Sequence, residues 1–258
     1  MHQSTRTFYQ RICRFRRLGR SAFINKLSVL IAVGVCLTAA GAFAENAGPF
    51  PGSAVDSKTM RIQEMVEELF EQGDYERAHF IYRKELSPIG DKYAQYMVGY
   101  MYWTGTGVGE DPILASAWYR LAAERSYKEF INERDLILAG FTEAELLHSD
   151  SQYLQLRRQY SDVVLLLKLI EADIDMSRAR TGSRLSGGGG SVTIVDARTG
   201  SSVSGDQYFG QIRRRVTARL KFMAKQLDMP DLNTDPGDVD LDDLWRIVDE
   251  WVETITDR

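Results

Sequence analysis

The chain of 258 residues carries 32 Lys and Arg against 36 Asp and Glu, a net charge of −4. Seven of the basic residues and no acidic ones fall within the first 44, so the remainder stands at −11. A chain that acidic is excluded as a general nucleic-acid binder, because phosphate attraction needs Lys and Arg in excess, and anionic membrane surfaces repel it.

The first stretch reads as a leader. Arg6, Arg11, Arg14, Arg16, Arg17, Arg20 and Lys26 precede an apolar run from Leu27 to Phe43, which closes on Ala42-Phe43-Ala44. A basic region, an apolar core and an A-x-A site make a secretory signal peptide, with cleavage expected after Ala44. The alternative is an uncleaved leader that anchors the chain in the inner membrane, since the run is only slightly shorter than the roughly 20 residues a spanning helix needs. Leu18-Gly19-Arg20 after Arg16-Arg17 departs from a twin-arginine signal, and Val35 before Cys36 departs from a lipoprotein site. The leader resembles a bacterial one, which makes the periplasm the expected destination. Both cysteines, Cys13 and Cys36, lie within it, so residues 45–258 hold no disulfide, thiol nucleophile or cysteine metal site.

Residues 45–57, with Gly48-Pro49-Phe50-Pro51-Gly52-Ser53, show no periodicity and read as a linker. From Lys58 the pattern is helical: Met60, Ile62, Met65, Val66, Leu69 and Phe70 recur at three- and four-residue spacing until Gly73. Asp74 is placed to cap a second helix carrying Tyr75, Ala78, Ile81 and Tyr82. Helix, Gly-Asp turn, helix is the unit of tetratricopeptide-type solenoids.

Residues 94–123, AQYMVGYMYWTGTGVGEDPILASAWYRLAA, carry the most specific signal. Ala94, Val98, Gly99 and Tyr102 share one side of a helix, Gly105 and Gly107 form a turn, and Asp111-Pro112 starts a helix lined by Ala115, Trp118, Ala122 and Ala123. Gly99 and the alanines let two backbones approach, and Tyr102 and Trp118 fill the space between them. The order Ala94, Val98-Gly99, Tyr102, Gly105-Thr106-Gly107-Val108, Asp111, Ala115, Trp118, Ala122-Ala123 resembles the Sel-one-like repeat, a relative of the tetratricopeptide repeat; Val98 stands where leucine is commoner. The resemblance covers one full repeat, with a degenerate one before it from Thr59 to Leu86. It implies a short α/α solenoid in an exported bacterial protein whose role is binding and assembly.

After Ala123 no second Gly-x-Gly turn follows, so further helices are expected to cover the end of the array. One runs from about Lys128 to Ala139. Gly140 and the capping box Thr142-Glu143-Ala144-Glu145 open the next. Ser161–Arg180 forms an amphipathic helix with Val163, Leu167, Ile170 and Ile174 on one stripe, read as a core helix packing on the repeats over a partner-binding coiled coil. Gly187–Gly190 reads as a flexible joint and not a phosphate loop, since no Gly-Lys-Ser/Thr follows. The residues after it read as a mobile linker, with a short hairpin pairing Val192, Ile194 and Ala197 with Ser201–Ser204 as the alternative. Last come a basic helix, Gln207–Leu227, and an acidic one, Leu241–Ile255, expected to pair as a hairpin through opposite charges such as Arg214 and Arg215. The chain thus divides into a signal peptide (1–44), a linker (45–57), repeats (58–139), a helical extension (140–180), a Gly/Ser-rich flexible segment (181–206) and a C-terminal helical hairpin (207–258), all-α apart from the short β-hairpin.

No catalytic, cofactor or metal set stands out. His79 and His148 lie on separate helices without ligand spacing, and no Gly-x-Ser-x-Gly or Ser-x-x-Lys occurs. Asp231–Asp243 resembles a calcium loop, but Pro236 takes the glycine's place and the bidentate glutamate is missing, which favours a turn with Asp240 as a helix cap. On the first repeat helix Tyr96, Tyr100 and Trp103 form a second stripe that the repeat pattern does not require. They are the candidate partner-binding residues. The function expected is a non-enzymatic adaptor for a protein or peptide partner in the cell envelope, without membrane insertion once the leader is removed. A cell-wall hydrolase or cell-wall binding protein is the alternative, because some exported proteins with such repeats are associated with cell-wall material.

Overall fold

A computed structural model describes residues 57–178, 193–195, 200 and 202–254. The leader, most of the linker, the glycine run and the last four residues lie outside the described residues. The described part is mostly α-helical.

Helix α1 (Ser57–Gln72) ends at Gly73, whose φ of +82° suits a residue without a side chain. Asp74 then caps α2 (Tyr75–Ile81) by accepting from the Arg77 N–H, as its position implies. A widened turn (Tyr82–Leu86) and a 3₁₀ turn (Ser87–Ile89) lead to α3 (Lys92–Thr104), capped by Asp91. The turn at Gly105 and Gly107 delivers the chain to α4 (Pro112–Ala123), with Asp111 as cap and Pro112 in the first position. α3 and α4 pack face to face. At Gly99 a Cβ would lie 3.2 Å from the Ala115 carbonyl oxygen and 3.3 Å from the Trp118 Cβ, so the glycine sets how closely the two backbones approach.

Helices α5 (Lys128–Leu138) and α6 (Glu143–Tyr160) both pack on α4 and close the end of the repeat. The Thr142–Glu145 capping box forms at the start of α6. The first core does not stop at residue 139, because Tyr153 and Leu156 of α6 join α1–α4 within it. Helix α7 (Asp162–Arg178) buries Val163, Leu167, Ile170 and Ile174 in a second core with α8 (Gly205–Gln226) and α9 (Leu241–Glu253), so it is a core helix, but its stripe packs on the C-terminal helices and not on the repeats. Between α7 and α8, the strands β1 (Thr193–Val195) and β2 (Ser202–Ser204) pair antiparallel with Ile194 opposite Val203, so among the described residues of that segment the alternative, a hairpin, forms in place of the expected mobile linker.

A further expectation is corrected here. α8 and α9 share a core with α7, but the ion pairs seen among the described residues of α8 and α9 run to α7 or within α9 and not between the two. Arg215 and Arg219 both bind Asp173 of α7, each with one contact of 2.7 Å, and Arg214 is exposed. On α9, Arg246 pairs within its own helix to Asp243 and Glu250. The buried Asp173 competes better for the guanidinium groups because a low-dielectric setting strengthens each contact.

His79 on α2 meets the Tyr102 ring edge-on, with centroids 5.1 Å apart, and Arg83 donates to the Tyr102 hydroxyl at 2.8 Å. Burial, with help from Arg83, holds the imidazole down to about 4. A depressed folded value means the unfolded chain binds the proton more readily. His79 therefore adds stability that is full above about pH 6.5 and is lost as pH falls toward 4. Replacing His79 by Phe is expected to flatten the melting-temperature profile between pH 6.5 and 5. An unchanged slope would remove His79 as its source. At Gly107 (φ +71°) a Cβ would sit 2.4 Å from the Tyr75 carbonyl carbon, whereas at Gly73 nothing lies within 4 Å. Gly73→Ala is expected to cost about 1 kcal/mol of backbone strain, and Gly107→Ala about 2–4 kcal/mol once the clash is added. Equal costs in urea denaturation would show that the Tyr75 contact is absent.

Candidate functional site

Four charged side chains meet where α3, α4 and α7 converge. Lys92 opens α3, Glu124 and Arg125 follow α4, and Asp162 opens α7. The Lys92 ammonium lies 2.8 Å from Glu124 Oε2 and 3.0 Å from Asp162 Oδ1, and it donates to the Leu121 carbonyl at 2.9 Å and to Gln95 Oε1 at 3.0 Å. Arg125 donates through Nε and Nη2 to the two oxygens of Asp162, at 2.5 and 3.1 Å, and through Nη2 to the Gly90 carbonyl at 3.0 Å. The backbone N–H of Asp162 donates to Glu124 Oε2 at 3.1 Å, so a residue 38 positions earlier satisfies an open donor of the first turn of α7. Burial alone would raise the Asp162 carboxyl, but Lys92 and Arg125 outweigh it and hold that group below the usual range. Glu124 has less compensation, and burial with the neighbouring Asp162 charge pushes it up despite Lys92.

The structure separates the aromatic stripe of α3. Tyr96 is half-buried, stacked on Phe130 of α5 (centroids 5.0 Å apart, planes at 23°) and edge-on to Tyr119 of α4 at 5.2 Å. Tyr100 is half-buried against the first core, and burial, then the neighbouring Tyr75, push its hydroxyl up. Trp103, one turn later, keeps 41% of its surface exposed. The end of the stripe at Trp103 therefore faces solvent, while Tyr96 joins the repeat to α5.

A cavity of about 810 Å³ opens between α4–α7 and the C-terminal helices, with Glu124, Arg125 and Asp162 in its wall. On its polar side Arg120 pairs with Asp150 at 2.5 Å and lies 4.2 Å over the Tyr153 ring. Arg157 lies 3.5 Å over the Trp251 ring and donates to the carbonyls of Val252 and Thr254. Its Nε is buried without a hydrogen-bond partner, and burial pulls the guanidinium below its usual value. Glu124 Oε1 is likewise buried and unpartnered. Sequence reasoning did not reach this cavity. The i, i+4 spacing of Tyr153 and Arg157 was legible as a stacking pair, but Arg120 and Trp251 come from helices that meet it only in the folded chain.

Asp231–Asp243 forms the turn and cap expected of it. Asn233 and Asp235 accept the N–H groups of Asp235 and Gly237, both at 2.9 Å, and Asp240 accepts those of Asp242 and Asp243. Those oxygens are thus engaged by the backbone, and among the described residues no three His, Cys, Asp or Glu are grouped to hold a metal ion. No helix among the described residues is long and apolar enough to cross a membrane.

Compared with known proteins, residues 92–127 match the Sel1 repeat family model. No curated protein and no solved structure matches the chain significantly. The matched span contains α3, the glycine turn, α4 and three of the four charged residues of the buried network.

That network generates a stability prediction. Lys92→Met leaves two buried carboxylates facing one cation and is expected to cost about 3–5 kcal/mol in urea denaturation. Adding Glu124→Leu should cost less than the sum of the two single changes, by at least about 1 kcal/mol. Strict additivity would show that the two residues do not interact.

Proposed function

We propose that this chain, whose residues 92–127 form a Sel1 repeat, is a non-enzymatic adaptor that holds a protein or peptide partner in the bacterial cell envelope. Sel1 repeats are in general protein-interaction scaffolds, and the hairpin built here has the rigid packing such a scaffold needs: Ala94, Met97, Val98, Ala115, Trp118 and Leu121 are all buried. The envelope location rests on the basic leader and its A-x-A site. The single observation that carries the binding reading is Trp103. A large aromatic side chain left open on the first helix of a repeat is the kind of residue that dominates partner binding when it is covered. Tyr100 borders it. Tyr96 contributes by holding α5 against the repeat, which sets the shape of the surface.

The test is a pull-down from envelope extract with the mature chain and two variants. Trp103→Ala is expected to leave stability within about 1 kcal/mol and to lower recovery of the bound protein about tenfold. Tyr96→Ala should instead destabilise the fold by about 2–4 kcal/mol, because it empties the space beside Phe130. Recovery that is unchanged in Trp103→Ala would overturn the assignment of this surface. Capture on cell-wall sacculi without any protein partner would overturn the adaptor reading itself.

A further inference from the structure

Helix α5 lies outside the matched repeat, which ends at residue 127, yet it supplies a second wall for the surface that carries Trp103. Glu129, Glu133 and Leu136 follow one another at i, i+4 and i+7, the spacing of Tyr96, Tyr100 and Trp103 on α3, so each set makes one stripe along its helix. The two stripes border one groove. Tyr96 stacks on Phe130 of α5, and Tyr119 of α4, edge-on to Tyr96 at 5.2 Å, lies at the floor between them. Arg134 and Leu138 turn the other way and line the cavity on the far side of α5. The stacked pair closes one end of the groove, and the other end opens between Trp103 and Leu136, which is 62% exposed.

The polar groups of this groove are short of partners. Glu129 and Glu133 are half-buried, and among the described residues neither forms an ion pair or a hydrogen bond. The one cation of α3, Lys92, is committed to the buried network, and on α5 Arg134 pairs with Asp135. Lys128 precedes the α5 stripe by one residue, about 100° around the helix. Glu129 stands in the first turn of α5, where a carboxylate also suits the positive end of the helix. Glu133, a turn later, has no such role. It neighbours Tyr119, whose hydroxyl makes no hydrogen bond among the described residues although the residue keeps only 2% of its surface. Unlike the sealed hydroxyl of Tyr127, that oxygen still reaches solvent. Burial, then Tyr96, Glu133 and Tyr100, push its ionisation well above the usual range, so it stays a neutral phenol able to accept an N–H. Two open carboxylates, this hydroxyl and the ring of Tyr100 complement a positive side chain, which carboxylates attract and an aromatic face stabilises. An anionic segment would be repelled. Trp103 and Leu136 offer apolar surface to the residue beside the cation.

We propose that the groove between α3 and α5 binds a partner segment in which a Lys or Arg side chain lies next to an apolar one, with Glu133 and Tyr100 taking the cation and Trp103 and Leu136 the apolar side chain. This rests on the adaptor reading and deepens it, because it gives the partner at the Trp103 surface a charge. It also gives α5 a role in recognition beyond closing the end of the repeat.

The test uses the mature chain and fluorescein-labelled peptides, blocked at both ends, in which arginine, glutamine or glutamate lies between two leucines. Anisotropy titrations are expected to show the arginine peptide binding about tenfold more tightly than the glutamine one, the combined effect of a partly exposed ion pair and a cation–π contact. The glutamate peptide should bind most weakly. Glu133→Gln keeps the side-chain shape and should leave the melting temperature unchanged while cutting the arginine preference to about threefold. With Glu129→Gln added, the preference should fall to about twofold or less. Asp249→Asn, on the exposed side of α9, leaves it intact, and Trp103→Ala weakens the arginine and glutamine peptides alike. Raising the salt concentration should shrink the preference without abolishing binding. Equal binding of the arginine and glutamine peptides, binding of neither, or a preference that survives the double variant overturns the proposal. So does a glutamate peptide that binds as tightly as the arginine one. A protein captured through Trp103 with no arginine preference in the peptides would sink this inference alone, whereas an arginine preference with no captured protein would sink the adaptor reading.

Discussion

Two cations and two carboxylates buried at one point hold the parts of this chain in register. Lys92 belongs to the first turn of the repeat, Glu124 and Arg125 to its end, and Asp162 to the first turn of the helix that starts the second core. Each charge is out of water and tolerable only because the others are present, since desolvation costs several kcal/mol per ion and is repaid only by close geometry. Every carboxylate oxygen of Asp162 has a cation beside it, and Lys92 spends its three N–H donors on Gln95, Leu121 and Glu124 while lying 3.0 Å from Asp162. The arrangement is therefore all-or-none. It fixes the angle at which α7 leaves the repeat, and through α7 it sets where α8 and α9 can lie.

The cavity beside the network follows from that constraint. Its wall near the repeat is the outer side of the network, and its far wall is Trp251 of α9 and Phe222 and Lys225 of α8. Arg157 ties the two, because it sits on α6 and donates to carbonyls at the end of α9. A shift of the second core relative to the first would break these bonds and open the cavity. Repeat and cavity are in this sense one structure, with the repeat supplying rigidity and the C-terminal helices supplying the enclosure.

Much of the local structure could be read from residue order. Asp74, Asp111, Thr142 and Asp240 cap helices where their spacing placed them, and Gly73, Gly105 and Gly107 all take positive φ. These are short-range effects: a cap or a left-handed turn depends on a few neighbouring residues. The apolar stripes of α7, α8 and α9 were legible for the same reason, because a helix shows its buried face in its own periodicity. The pairing of charges was not. Arg215 and Arg219 had an acidic helix later in the chain as a plausible partner, yet they bind Asp173, 42 and 46 residues earlier. Net charge along a segment carries no information about which carboxylate will be buried beside it.

The aromatic stripe marks the same limit. Tyr96, Tyr100 and Trp103 lie on one side of α3 by spacing alone, and the sequence by itself determined that stripe, the repeat hairpin and the helical class of the rest, because all three follow from local geometry. Only the tertiary structure decided that α5 covers Tyr96 and leaves Trp103 open, and that Arg120, Arg157 and Trp251 meet around one cavity. The physical reason is that burial and charge pairing are properties of the space between elements. That space is set by how helices far apart in the chain pack, here through four buried charges contributed by three separate segments.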